Sequence, residues 1–254
     1  MVEENHSLSE MQLNMPYLFG LAKQYAYATN YRAITHPSLP NYLSIAGGSS
    51  FGVTDDAAPS SHPIAGDSVF DQAIAAGKTA RTYADAMTSN CQQVSSGEYV
   101  VRHNPHAYFN GATQRANCRA TDVPAGTPEA GALHDDIAAG TLPNAGLLVP
   151  NLCNDAHDCA LGVADGYLQK WLPSILAGPD FTSGRLAVVI TADEDDSSQN
   201  NTVLTVVLHP SEHSRVVTAP LDHYSLTGFY DSVLGTPALR GASAATSFGS
   251  AFSL

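Results

Sequence analysis

The chain has 254 residues, with 24 Asp and Glu against 11 Lys and Arg, for a formal net charge of −13. Hydrophobic residues make up 44% and charged residues only 14%, against roughly 25% charged in an average globular protein, which excludes a disordered chain and leaves material for a large core. The acidic excess argues against nucleic acid and anionic membrane surfaces as general partners, since both are held by clustered Lys and Arg.

Helical and strand signals alternate along the chain. Met15 to Tyr25 predicts a helix, with Pro16 in its first turn and Leu18, Phe19, Leu21, Ala22 and Tyr25 as an apolar stripe. Ala28 to Ile34 predicts a strand, and Leu39 to Ala46 a short helix stopped by Gly47-Gly48. Val69 to Ala76 is a further helix and Ala80 to Ala84 a further strand. An irregular, Cys-containing insertion follows over about 87–145. Gly146 to Val149 is a buried-type strand, and the spacing of Leu161, Ala164, Leu168, Trp171, Leu172 and Ile175 is helical. Leu186 to Thr191 and Val203 to Leu208 predict strands buried on both faces, and His223 to Leu234 a last helix ended by Gly235. The pattern predicts one α/β domain over residues 1–254, with a mainly parallel sheet and helices on both faces. Ligands of such sheets lie beyond the carboxyl ends of the strands.

No apolar run approaches the ~18–20 residues that span a bilayer. Met1 is followed at once by Val2-Glu3-Glu4-Asn5, which is not a signal peptide. The four Cys form two local pairs, Cys91 with Cys118 and Cys153 with Cys159. An even count at close spacing fits two disulfides and an oxidising compartment, with four reduced thiols as the other reading.

The polar residues cluster where a site would lie. Leu186-Ala-Val-Val-Ile-Thr191 runs into Asp193-Glu194-Asp195-Asp196, Gly146-Leu-Leu-Val-Pro150 into Asn154-Asp155-Ala156-His157-Asp158, and Val2 into Glu3-Glu4-Asn5-His6-Ser7. Carboxylate and amide oxygens with an imidazole suit a divalent cation. A fourth segment, Ile34-Thr35-His36-Pro37-Ser38, ends a strand at a hydroxyl just before a helix. The free N–H groups of that helix start would favour an anionic phosphoryl group. A bound cation can activate the otherwise weak Thr35 nucleophile.

Glu-Asn-His-Ser at Glu4 to Ser7, Thr-His-Pro-Ser-Leu-Pro-Asn-Tyr at Thr35 to Tyr42, Pro150 to Asp158 and Thr-x-Asp-Glu-Asp-Asp at Thr191 to Asp196 together resemble the bacterial phosphoesterase family. Tyr99 to Pro105 and Asp222-His-Tyr-Ser225 add to the similarity. That family contains secreted acid phosphatases, phosphatidylinositol-3-phosphatases and phospholipases C. The resemblance implies an alkaline-phosphatase-like three-layer α/β/α sandwich and a cation (Mg²⁺, Ca²⁺ or Mn²⁺) at Glu4, Asn5, Asp193, Glu194 and the Thr35 hydroxyl. It places the nucleophile at Thr35, an active-site histidine at His157 with Asp155 nearby, and further histidines at His103 and His223. Asn5 and Asp155 would contact the phosphate. In the family a long apolar strand precedes the Glu-Asn motif, so the first central strand is expected to be short here.

The resulting expectation is a secreted, metal-dependent phosphomonoesterase that works through a phosphothreonine on Thr35. Its substrate would be a small phosphate ester or a phosphoinositide, with no stable membrane association. A phospholipase C-type phosphodiesterase and a non-catalytic, secreted metal-binding protein are the alternatives.

Overall fold

The computed structural model describes residues 1–254. In chain order the elements are β1 (Val2–Glu3), α1 (Leu8–Asn14), α2 (Pro16–Gln24), β2 (Ala26–Arg32), α3 (Ser38–Gly47), α4 (Val69–Ala75) and β3 (Ala80–Ala84). There follow α5 (Ala112–Thr121), β4 (Asp122–Pro124), α6 (Ala132–Ala139), β5 (Ala145–Val149), α7 (Leu161–Ala177) and α8 (Pro179–Thr182). The last are β6 (Val188–Ala192), β7 (Thr202–Leu208), β8 (Arg215–Val217), β9 (Leu221–Asp222), α9 (His223–Leu234) and α10 (Phe248–Phe252).

One sheet has the order β1-β6-β7-β2-β8, with β9 also on β2, and a second has the order β4-β3-β5. The expectation of a mainly parallel α/β fold holds: five of the seven strand pairings are parallel, and only the first sheet is mixed. β1 runs parallel to β6, β3 parallel to β4 and β5, and β2 parallel to β8 and β9, whereas β7 is antiparallel to both β6 and β2. The connection from Ala192 to Thr202 explains the reversal. It is shorter than the dozen or so residues a parallel crossover needs, so the chain can only fold back. Six of the seven β7 residues are buried, as its unbroken apolar run requires.

Helices α1, α2 and α7 pack together over β2 and β7, and α3, α4 and α9 form the other group, with α4 on β3 and β5. Trp171, Leu168 and Leu172 of α7 are among the most buried side chains, on the stripe expected from their spacing. Two differences from the sequence reading have simple causes. The segment about 87–145 is irregular only in its first part: from residue 112 on it forms α5, β4 and α6, and β4 pairs with β3. Helix α5 buries only Cys118, so it has no apolar stripe to read. Helix α1 escaped for the same reason, with Met11 alone buried.

Both expected disulfides are formed, Cys91 to Cys118 and Cys153 to Cys159. No helix is long and apolar enough to cross a membrane. β1 is only two residues long. Met1 and Val2 help line an apolar groove of about 590 Å³, together with Leu147 and Leu148 of β5, Val188 and Val189 of β6, and Phe229 and Tyr230 of α9.

Candidate functional site

The carboxyl ends of three strands meet. Glu4 and Asn5 follow β1, Asp193 and Glu194 follow β6, and the loop carrying Asp155 and His157 follows β5. Backbone bonds tie the three turns together: Glu4 N–H donates to the Asp155 carbonyl at 2.8 Å and Asp193 N–H to the Glu3 carbonyl at 3.0 Å. Asn5 takes φ 55°, a left-handed conformation that Asn tolerates, and its N–H donates to Asp193 Oδ1 at 3.2 Å.

Glu4 is the hub. Ser38 Oγ donates to its Oε2 at 3.0 Å, and the Tyr42 hydroxyl donates to its Oε1. His103 Nε2 lies 3.4 Å from Glu4 Oε2, while His103 Nδ1 is 3.0 Å from Asp155 Oδ2. The Tyr42 ring stacks on the His103 imidazole, with centroids 5.2 Å apart. One ligand atom from each of Glu4, His103 and Asp155 falls within a 4.8 Å group. Glu4, His103, Asp155 and Asp193 are all 0% exposed, and Asp193 Oδ2 and His103 Nε2 have no hydrogen-bond partner.

Burial and mutual repulsion shape the charges. Burial first, then the neighbouring Asp193 and Asp155, push the Glu4 carboxyl well above its usual range. Asp193 rises for the same reason, with Glu194 as its main repelling neighbour. Burial raises Asp155 to about 7 and, with Asp56 and Asp195 beside it, Glu194 to about 8. Burial holds the His103 imidazole well below its usual value, so it is neutral. Such a dry group of carboxylates, with Asp193 Oδ2 orphaned, fits a divalent cation, which would supply the missing countercharge.

Thr35 lies just past β2 and is half-buried. Asn41 clamps its backbone: Asn41 Oδ1 accepts from the Ile34 and Thr35 N–H groups at 3.0 and 3.1 Å, and Asn41 Nδ2 donates to the Thr35 carbonyl at 2.8 Å. The same Nδ2 donates to Glu194 Oε2 at 3.1 Å. Asn201 Nδ2 adds a bond to the Thr35 carbonyl at 2.9 Å, and the Thr35 hydroxyl donates to the His36 carbonyl at 3.1 Å. His36 Nδ1 is 3.2 Å from Glu194 Oε1. Asp195 accepts from the backbones of Ser197, Gln199 and Asn201, so its carboxylate organises the turn that presents Glu194.

The sequence-predicted residues therefore fall into distinct groups. Glu4, Asp155, Asp193 and His103 form the dry centre. Glu194 and Thr35 join through Asn41. His157 stands outside at the solvent edge, where Nδ1 is 2.7 Å from Asp158 Oδ1 and Nε2 is 3.1 Å from Arg102 Nη2. His223 lies behind the centre and is fully buried: Nε2 donates to the Asp193 carbonyl at 2.6 Å, so Nδ1 accepts from the Tyr31 hydroxyl at 2.9 Å. Burial drops its pKa to about 4 and keeps it neutral. One N–H of the helix start expected to face phosphoryl oxygen, that of Leu39, donates to Asp56 Oδ1 at 2.9 Å.

Sequence reasoning missed Ser38, Asn41 and Tyr42. They are positions i, i+3 and i+4 of α3, so one helix face delivers all three, and that polar spacing inside Ser-Leu-Pro-Asn-Tyr was the readable signal. Arg102, which shares a short 3-10 turn with His103, was also passed over.

The Phosphoesterase family matches residues 7–229, a range that takes in Thr35, His103, Asp155, His157, Asp193, Glu194 and His223. A phosphate-repressible acid phosphatase of Penicillium chrysogenum is 32% identical over 86% of this chain and 54% of its own length. A phosphatidylinositol-3-phosphatase of Mycobacterium tuberculosis is 28% identical over 93% of this chain and 76% of its own. This chain thus spans about half the length of the fungal relative. A crystal structure of a protein in the alkaline phosphatase superfamily from Vibrio parahaemolyticus superposes with a TM-score of 0.61 at 10% identity, covering 96% of this chain and 70% of that one, and shows the fold they share. The match over residues 7–229 and the 32% identity to the fungal protein make this chain a member of the Phosphoesterase family.

Proposed function

We propose that the chain is a metal-dependent phosphomonoesterase of the acid phosphatase type, acting through a covalent phosphothreonine on Thr35. The observation that carries this reading is the dry cluster of Glu4, Asp193, Asp155 and His103, with Asp193 Oδ2 unpartnered, tied through Glu194 and Asn41 to the Thr35 turn. The names of the acid phosphatase relatives support the same activity.

Glu4, Asn5, Asp193, Glu194 and the Thr35 hydroxyl would hold the cation, with His103 and Asp155 bracing Glu4. When bound, the cation supplies positive charge that keeps these carboxylates ionised and favours the Thr35 alkoxide. Thr35 Oγ attacks phosphorus in line, forming the Oγ–P bond as the bond to the leaving oxygen breaks. The proton that leaves Thr35 Oγ reaches the leaving oxygen by way of His103, which is neutral with Nε2 unpartnered and so can take it up and pass it on, while His157, whose Nε2 accepts from Arg102, holds that side chain. Water then attacks the phosphothreonine, releasing inorganic phosphate and returning the proton to Thr35 Oγ. Asn41 holds the Thr35 backbone and so fixes the direction of attack, and His223 positions Asp193 from behind. Substrates are small phosphate monoesters or phosphoinositides. The two disulfides fit a secreted or extracytoplasmic setting.

Residues 1–254 read as one phosphoesterase domain with a short first strand. Because Met1 and Val2 line a groove shared with residues of β5 and β6, apolar residues joined to Met1 would enter it beside β6, to which β1 runs parallel. Thr35→Ala tests the function: hydrolysis of p-nitrophenyl phosphate is lost while fold and metal content stay as in the unmodified protein. Full activity in that variant rejects the covalent route.

A further inference from the structure

Arg102 is a cation in a strongly acidic site. Its guanidinium carries five N–H donors, and one bond accounts for its side chain: Nη2 donates to His157 Nε2 at 3.1 Å. Arg81, Arg185 and Arg215 are each paired with a carboxylate, on Asp136, Asp180 and Glu212 respectively. Arg102 has no carboxylate within ion-pair distance, although it is near enough to Asp155 and His103 to act on both electrostatically. It is half-buried, next in sequence to His103 and bonded to His157, which is exposed.

The bond to Arg102 also settles how His157 faces the site. Arginine only donates, so His157 Nε2 accepts, and its proton sits on Nδ1 toward Asp158 Oδ1 at 2.7 Å. His157 therefore presents no N–H at the solvent edge, and the donors available there belong to Arg102. A phosphate dianion approaching Glu4, Asp155, Asp193 and Glu194 meets four carboxylates. One divalent cation leaves that group net negative when all four are ionised, so a further positive group is needed to admit an anion.

We infer that Arg102 is the anion-binding residue of this site: its free N–H donors take the oxygens of the substrate's phosphate group, and His157, locked by Asp158, positions the guanidinium. Arg suits this because its planar fork binds two oxygens of one phosphate, which the point charge of Lys cannot. The inference rests on the phosphomonoesterase reading for its substrate, but it can be tested by binding alone.

The test titrates inorganic phosphate into metal-loaded protein by isothermal titration calorimetry and measures KM and kcat for p-nitrophenyl phosphate. Arg102→Gln should weaken phosphate binding by about ten- to a hundredfold and raise KM by a similar factor, with a smaller fall in kcat. Arg102→Lys should recover part of the affinity, and it carries the test if the Gln variant does not fold. Lys170→Gln, which removes a charge from an exposed position of α7, should leave phosphate affinity unchanged. Folded, metal-loaded Arg102→Gln with unaltered phosphate affinity overturns the inference. So does a loss confined to kcat, which would make Arg102 a support for His157 only. Phosphate binding that depends on Arg102 in a protein that hydrolyses no monoester would instead reject the proposed function and leave the anion site standing.

Discussion

Asn41 Nδ2 donates at once to Glu194 Oε2 at 3.1 Å and to the Thr35 carbonyl at 2.8 Å, so a single buried amide sets the spacing between a proposed cation ligand and the proposed nucleophile. Removing it frees the Thr35 turn and leaves two backbone N–H groups, of Ile34 and Thr35, without their acceptor. Asn41→Ala should cut kcat by about a hundredfold, the scale of a misplacement near 1 Å, with little change in metal content. Steady-state kinetics with metal analysis check this, and a variant with normal kcat would show that the clamp is dispensable.

The raised carboxylates give the metal-free protein a distinctive pH response. Asp155 at about 7 and Glu194 at about 8 bind protons more tightly when folded than in the unfolded chain, where carboxyls titrate at about 4. Their contribution to stability is therefore present at low pH and is lost as pH rises from about 4 toward 8. Metal-stripped protein should show a Tm that falls across this window, and a divalent cation should restore it most at the alkaline end, where the ligands are ionised. Thermal scans with and without chelator read this directly. A metal-free Tm that rises between pH 5 and 8 would contradict it.

Asp193 and His103 separate two ways of holding the cation. Asp193 Oδ2 is buried and unpartnered, whereas His103 Nδ1 already engages Asp155. Asp193→Asn should lose most bound metal, since it removes a charged ligand, while His103→Gln should retain metal and lose activity. Loss of metal in both variants would move the centre toward the Glu4, His103 and Asp155 group.

How much of this was readable in sequence depends on what each residue touches. Glu4, Asn5, Asp193 and Glu194 announce themselves because they follow apolar strands, and a strand end points its next residues at the site. The α/β class follows from the same alternation. The antiparallel β7 could be had only from the short link after Ala192, since β7 is as apolar as a parallel central strand. Tyr42 and Ser38 look like ordinary helix residues, and only the three-dimensional approach of α3 to β1 reveals that both donate to Glu4. His157 carries the stronger motif and His223 the weaker, yet His223 is sealed behind Asp193 and His157 stands at the solvent edge. Burial distinguishes them, and a single sequence does not encode it locally.

The Cys153–Cys159 disulfide closes the loop that holds Asp155 and His157. Cys153→Ser with Cys159→Ser should lower stability by about 2 kcal/mol, the low end for a short disulfide loop, and reduce kcat/KM more than the stability loss alone explains. Denaturant melts and kinetics on the double variant decide this. Unchanged kcat/KM would limit the bridge to stability.

The groove that Met1 shares with β5 and β6 makes its own prediction. A five-residue apolar strand fused ahead of Met1 should raise Tm by about 5 °C or more through added burial and strand pairing, while a Gly-Ser segment of equal length should not. Hydrogen exchange at Leu148 and Val189 should slow only in the apolar fusion. Equal effects from both segments would exclude strand addition.

The most direct test of the account is acid quenching of the enzyme during turnover of a phosphomonoester, followed by phosphopeptide mapping by mass spectrometry. The account predicts one phosphoryl group on Thr35, absent in Thr35→Ala and absent without substrate. Turnover with an unlabelled Thr35, or a label on the neighbouring Ser38, would contradict it.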